Sequence, residues 1–162
     1  MATTDIFNRL KMDHDSHRDL LARIAASGTA QPERVRLFEQ FTLEAKSHAS
    51  AEEQALYSTM MRKPETTDDT RHSVSEHHEI EVALNDIAAT DPASQAWLDK
   101  FAELKHDYLH HIQEEEDEHF PEFSRFLTTA YEAHMREVFE RRKQAEKSQA
   151  EVTPEAREDA KD

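Results

Sequence analysis

A histidine followed four residues later by a glutamate occurs twice in this chain, 63 positions apart. The first copy is His48 with Glu52, and the second is His111 with Glu115. On an α-helix this spacing places both side chains on one face, one turn apart. The same offset relates His14 to His77. The repeat therefore predicts two similar helix pairs that present metal-ligand side chains at matching positions.

Apolar positions follow the same offset, which extends the repeat beyond its polar residues. The matching pairs are Leu21 with Leu84, Ile24 with Ile87, Phe38 with Phe101, and Tyr57 with Phe120. Because core and polar positions agree in register, the sequence indicates an internal duplication of a helix pair.

Composition narrows the fold and its partners. Among 162 residues there is one glycine and 34% are charged, which favours helices over sheet. The formal charge of -15 argues against nucleic acid or an anionic membrane as partner, since both require clustered Lys and Arg. No long apolar run or signal-peptide layout is present, so a cytoplasmic protein is expected. Without cysteine, any metal must be held by histidine and carboxylate.

The helical period predicts four main helices and a shorter fifth. The first would run from an N-cap at Thr3 or Thr4 to Ser27, and the next two would span residues 32–61 and 69–89. The fourth would open at Asp91 and Pro92, with a kink at Pro121. The fold class expected is all-α, an antiparallel up-down-up-down four-helix bundle over residues 1–128. Residues 129–162 would form a C-terminal extension.

The C-terminal extension is predicted in two parts. A short helix would turn an apolar side inward, and a solvated or disordered acidic tail would follow from about Gln144. The apolar side consists of Tyr131, Met135, Val138 and Phe139.

Polar side chains interrupt the apolar stripe of each main helix at mid-height. Burying them without partners would cost several kcal/mol each, and a pair of metal ions is the most compact compensation. The candidate metal ligands are His14, His48, Glu52, His77, His111 and Glu115. With bridging carboxylates, these ligands would leave about one open position on each ion for a small ligand. The metal-free alternative is a polar core satisfied by hydrogen bonds, as in an acidic interaction bundle.

The pattern H…HxxxE…H…HxxxE, over about residues 5–128, resembles the hemerythrin-like or HHE cation-binding family. The resemblance implies two iron ions, a non-heme diiron pair with carboxylate and oxo- or hydroxo-type bridges. Family members bind dioxygen, sense oxygen or iron, or handle peroxide and nitric oxide. Manganese or zinc would accept the same ligands.

Two departures from the oxygen carriers of this family shift the expected chemistry. Where they have a further histidine, one turn before the position of His77, this chain has Ser73. Their last carboxylate ligand is spaced as Glu116 is here, whereas the duplication favours Glu115. These differences favour peroxide or nitric oxide chemistry over reversible oxygen carriage.

The expected function is therefore a diiron protein that binds a small oxidant: hydrogen peroxide, nitric oxide or dioxygen. Whether it is an enzyme stays open; if so, a catalase-like or peroxidase-type oxidoreductase is implied. The alternative is an oxygen- or iron-sensing or storage module without turnover. No protein partner is identified by the sequence.

Several other polar residues are expected near the ligands. His17 and His119 are expected in the core or beside the ligands, with ligation left open. Tyr108 is expected to pack in the core, or alternatively to face the metals. Glu53 and Glu116 would either orient the histidines or lie on a solvated face.

Overall fold

The computed structural model describes residues 5–28 and 31–150, with only the backbone at residue 150, and within this part the chain forms helices and turns without strands. The described residues form five helical segments. The first, third and fifth are single helices: α1 (Ile6–Ala26), α4 (Thr67–Ala88) and α7 (Thr129–Ala150). The second consists of α2 (Gln31–Glu52), π1 (Glu53–Tyr57) and α3 (Ser58–Met60), and the fourth consists of α5 (Gln95–Glu114), π2 (Glu115–His119) and α6 (Phe120–Ser124). The predicted all-α class is confirmed.

Capping side chains set the starts of α1 and α5. The carboxylate of Asp5 caps α1 by accepting the backbone N–H of Asn8 at 2.8 Å; Thr3 and Thr4 lie outside the described residues. The hydroxyl of Ser94 caps α5, so the start predicted at Asp91 and Pro92 is wrong. Asp91 instead accepts the N–H two residues on, at 3.0 Å, and this side-chain turn keeps the segment from becoming helical.

Both long helical segments change from α- to π-helical hydrogen bonding at the glutamate of the repeated sequence. Glu52 is the last residue of α2, and Glu115 is the first of π2. A π turn inserts an extra residue and so changes which side chains face inward. The kink predicted at Pro121 stays a prediction, and the irregularity that the structure shows before this proline is the π turn π2. Proline alone does not explain it, since π1 has no proline at the corresponding place.

The apolar core is divided into two clusters by a buried polar layer. One cluster joins α1, α2, α4 and α5 around Phe41 and Trp97, and the other joins π1, α6 and α7 to the start of α1. Between them lie the buried polar residues His14, His17, His48, Glu52, His77, His111 and Glu115. All four repeat-related apolar pairs are buried, which confirms that both helix pairs turn the same face inward.

Helix α7 packs against α1, α2 and π1. Met135 and Phe139 are buried, as predicted, but Tyr131 is 45% exposed and does not belong to the apolar side. Helix α7 continues past Gln144 to Ala150, so the C-terminal helix is longer than predicted, and the residues from Gln144 to Gln149 are mostly exposed. Residues 151–162 lie outside the described part. The boundary at residue 128 stays a prediction.

None of the described helices combines the length and apolar character needed to cross a bilayer.

Candidate metal centre

The six predicted ligands meet in the polar layer, in two groups that share one carboxylate. Ligand atoms of the first group, all within 4.8 Å of one another, come from Glu52, His77, His111 and Glu115. Those of the second come from His14, His48 and Glu52. Glu52 therefore lies between two clusters of imidazoles, where a carboxylate can contact two cations at once.

Short distances within the first group are not accompanied by hydrogen bonds to the carboxylates. His111 Nε2 lies 2.6 Å from Glu115 Oε1, and His77 Nε2 lies 3.1 Å from Glu52 Oε1. Nevertheless, both oxygens of Glu52 and both of Glu115 are buried without a hydrogen-bond partner. The same holds for the Nε2 atoms of His14 and His48. Such a set of buried, unsatisfied donor atoms is costly in an empty core and is the arrangement that metal ions satisfy.

Four further carboxylates hold the other ring nitrogens of these histidines, each from a different helical element. Glu116 Oε2 lies 2.9 Å from His14 Nδ1, and Asp13 Oδ2 lies 2.8 Å from His48 Nδ1. In the second half, Glu53 Oε1 lies 3.1 Å from His77 Nδ1, and Glu76 Oε1 lies 3.0 Å from His111 Nδ1. A carboxylate on Nδ1–H fixes the ring and leaves Nε2 free to bind a metal.

The duplication extends to this outer set. Asp13 stands 63 positions before Glu76, and Glu53 stands 63 before Glu116, so each histidine has a corresponding carboxylate. The sequence prediction that Glu53 and Glu116 could orient histidines is thus met by their contacts. It missed this role for Asp13 and Glu76, although both recur directly before His14 and His77 and carried the same repeat signal.

Glu52 and Glu115 ionise very differently although they are neighbours. Burial raises the pKa of Glu52 well above its usual value, and the charge of Glu115 raises it further. Burial also opposes ionisation of Glu115, but the charge of His111 and the close polar atoms of Glu52, His111 and His77 hold its pKa well below the usual value. In the absence of metal, the surroundings therefore favour the uncharged form of Glu52 and the ionised form of Glu115.

The stability of the metal-free protein should fall as pH rises from about 6.5 towards 9. Burial lowers the pKa of His48 to about 4, against its hydrogen bond with Asp13. Burial also acts against charged His111, but the charge of Glu115 raises its pKa to about 9. Since an unfolded histidine titrates near pH 6.5, the His48 contribution is lost as pH falls from there. The His111 contribution, at most about 3 kcal/mol, is lost as pH rises towards 9.

Urea unfolding of chelator-treated protein between pH 5 and 9 measures this profile. We expect His111→Gln to flatten the alkaline side. A wild-type free energy of unfolding that stays constant from pH 6.5 to 9 would contradict the assignment.

Two further predicted neighbours, His17 and Tyr108, are buried in contact with each other. Their Nδ1 and hydroxyl atoms lie 2.6 Å apart, and His17 Nε2 has no hydrogen-bond partner. His17 forms a group with Asp13 and His48, on the outer side of the second ligand group. Tyr108 thus packs in the core, as expected, and also touches a histidine beside the ligands.

The remaining histidines lie away from the six ligands. His119 is buried, and its Nδ1 lies 2.9 Å from Ser73 Oγ, so the serine that replaces a family histidine supports another ring. His78, His106 and His134 are exposed.

A cavity of about 540 Å³ connects this layer to the surface between α2, α4 and α5. Its inner wall includes His48, His77 and His111, and exposed His78 and Glu81 also line it. A small solute can therefore reach the ligand layer without unfolding of the bundle.

Comparison with known proteins identifies the family. Residues 5–123 match the hemerythrin HHE cation binding domain. No curated protein matches the chain, and no solved structure does. The matched span contains all six clustered His and Glu side chains and the four carboxylates behind them. The chain therefore belongs to the hemerythrin family of HHE cation-binding domains.

Proposed function

We propose that this protein holds a pair of iron ions and uses them to bind and turn over a small oxidant. The proposed metal ligands are His14, His48, Glu52, His77, His111 and Glu115. The observation that carries the proposal is the set of buried, unpartnered Nε2 and carboxylate oxygen atoms in this layer. Mixed imidazole and carboxylate donors suit first-row transition metals, and Glu52, which belongs to both groups, suits a bridge.

The chain's own residues would prepare the site before metal arrives. Asp13, Glu53, Glu76 and Glu116 keep each ligand ring in one orientation. Together with Glu52 and Glu115 they also bring six carboxyl groups to one layer, a concentration of negative charge that favours cations. The protein thereby supplies a rigid, cation-attracting site, and iron supplies the redox chemistry when bound.

We also propose the antiparallel four-helix arrangement for the segments that carry the ligands. Each segment brings its ligands to the same layer, and the connections at residues 61–66 and 89–94 are short. Short connections favour antiparallel neighbours.

The proposed substrate class is hydrogen peroxide, nitric oxide or dioxygen, with peroxide first. The cavity beside His48, His77 and His111 offers an open route to the metal layer. With four imidazole ligands for two ions, coordination positions remain for a small ligand on that side.

The test is metal content followed by turnover, on protein purified without a histidine tag. We expect about two irons per chain by mass spectrometry, and oxygen release from added peroxide that disappears on chelation. Two irons with peroxide, oxygen and nitric oxide all unreactive would contradict turnover and favour sensing or storage. No iron after anaerobic reconstitution with ferrous salt would overturn the diiron proposal.

A further inference from the structure

A second cluster of histidines and glutamates lies on the outer side of α4 and α5, outside the iron-binding layer. His72 Nε2 lies 2.8 Å from Glu114 Oε1 and 3.3 Å from Glu76 Oε1. Ligand atoms of these three residues all lie within 4.8 Å of one another. The two carboxylates come from different helices, and each is 18% exposed at its side chain. One imidazole and two carboxylates thus converge at a place that solvent can reach.

A fourth residue, the buried histidine His119, faces the carboxylate of Glu114. His119 Nε2 lies 3.4 Å from Glu114 Oε1, and only 5% of the His119 side chain is exposed. Its Nδ1 is fixed by the hydroxyl of Ser73 at 2.9 Å. An imidazole held at one nitrogen, with the other directed at a carboxylate, has the orientation of a metal ligand.

The duplication allows the charges around Glu76 to be compared with those around the corresponding residue of the first half. Glu76 corresponds to Asp13, and His72 corresponds to Arg9. Asp13 is neutralised by Arg9 at 2.6 Å and by Lys143 of α7 at 2.9 Å. The helix α7 packs on α1 and α2, which brings Lys143 to Asp13 in the first half.

In the second half, permanent positive charges are replaced by imidazoles. Within the described part of the chain, the ion pairs of Glu76 and Glu114 are all with histidines: His72, His110, His111 and His119. An imidazole is charged only when it is protonated, whereas Arg9 and Lys143 are permanently charged, and a neutral imidazole can bind a metal ion. A cleft of about 180 Å³, lined by Glu76, His110 and His111, opens beside the cluster.

We propose that His72, Glu76 and Glu114 bind a third metal ion, a divalent transition metal, with His119 directed at the same carboxylate. Mixed nitrogen and oxygen ligands with partial exposure suit Zn²⁺ or Fe²⁺ and leave room for water. The ion would neutralise the carboxylates of Glu76 and Glu114, as Arg9 and Lys143 neutralise that of Asp13. Through Glu76, which also contacts His111, it would be joined to the iron-binding layer. The site is additional to the six ligands proposed above and does not depend on them.

Calorimetric titration of Zn²⁺ into iron-loaded protein tests the third site, with iron measured before and after. We expect about one zinc per chain to bind without loss of iron. His72→Ala and Glu114→Gln should each weaken this binding by about 10-fold or more. His106→Ala, which removes an exposed histidine of α5 outside the cluster, should not change it.

Three results would overturn the third site: no zinc uptake by iron-loaded protein, unchanged affinity in His72→Ala, or release of iron in proportion to zinc bound. The Glu52→Gln variant separates this site from the iron pair. If the variant lacks iron but still binds one zinc in a His72-dependent manner, the third site stands by itself.

Discussion

Replacing Glu52 with glutamine should remove iron binding and leave the metal-free fold about as stable as wild type. Burial and neighbouring Glu115 raise the pKa of Glu52, which favours the uncharged form of its side chain in the metal-free protein. Glutamine has nearly the same shape and no charge, so we expect the metal-free free energy of unfolding to change by less than about 1 kcal/mol. A neutral amide cannot replace a bridging carboxylate, and iron content should fall from about two to below one per chain.

Wild type and Glu52→Gln should differ clearly in their free energy of unfolding only when iron is present. A metal at about 100 times its dissociation constant adds about 2.7 kcal/mol to the stability of the folded state, and the variant should lose this gain. Urea unfolding with and without iron measures both quantities. Glu39→Gln is the matched control, since Glu39 is an exposed glutamate of the same helix. Iron retention by Glu52→Gln, or a metal-free protein weakened by more than about 2 kcal/mol, would contradict the assignment.

The buried face of each main helix could be predicted because the helical period alone determines it. In α1 the positions spaced three or four residues apart are all buried, namely Phe7, Leu10, His14, His17, Leu21 and Ile24. The repeat then predicted which polar residues share a layer, since matching positions of a duplicated helix pair must face a common core.

Local hydrogen bonding could not be predicted in the same way. The start of α5 depends on a competition between the side-chain turn at Asp91 and the cap at Ser94, and both are good local signals. The π turns at Glu53–Tyr57 and Glu115–His119 alter the helix by a single residue, too little to disturb a stripe read from residue spacing.

The position of α7 depended on long-range contacts. The sequence predicted a short helix with Met135 and Phe139 on its apolar side, and both are buried, but residue spacing could not show that the helix packs on α1, α2 and π1. Lys143 then reaches Asp13, and Lys147 reaches Glu44 at 2.7 Å. These contacts cross about 100 residues or more of sequence, so no local pattern could indicate them. They also make the two halves of the duplicated site unequal.

Because the described part of α7 contacts only one of the two matching carboxylates, Asp13→Asn and Glu76→Gln should differ in their effect on stability. Both carboxylates hold the Nδ1 atom of a ligand histidine, so each substitution should weaken iron binding by a similar factor, about 10- to 100-fold. Stability of the metal-free protein should differ. Asp13→Asn removes the carboxylate that Arg9 and Lys143 share and leaves Arg9 with Glu140 and Lys143 with Glu44, so we expect a loss of about 2 kcal/mol. Among the described residues Glu76 pairs only with histidines, and its loss should cost about 1 kcal/mol.

Urea unfolding of both metal-free variants, together with iron titration, measures the two effects separately. Adding Lys143→Met to Asp13→Asn removes a cation that has lost one of its two carboxylate partners and should restore part of the lost stability, whereas adding it to Glu76→Gln should not. Equal stability losses would mean that α7 does not set the charge balance at Asp13. Strongly unequal losses of iron affinity would mean that the outer carboxylates do not play matching roles. The combination of similar iron effects and unequal stability effects is expected only if a duplicated ligand set has been made asymmetric by the added helix.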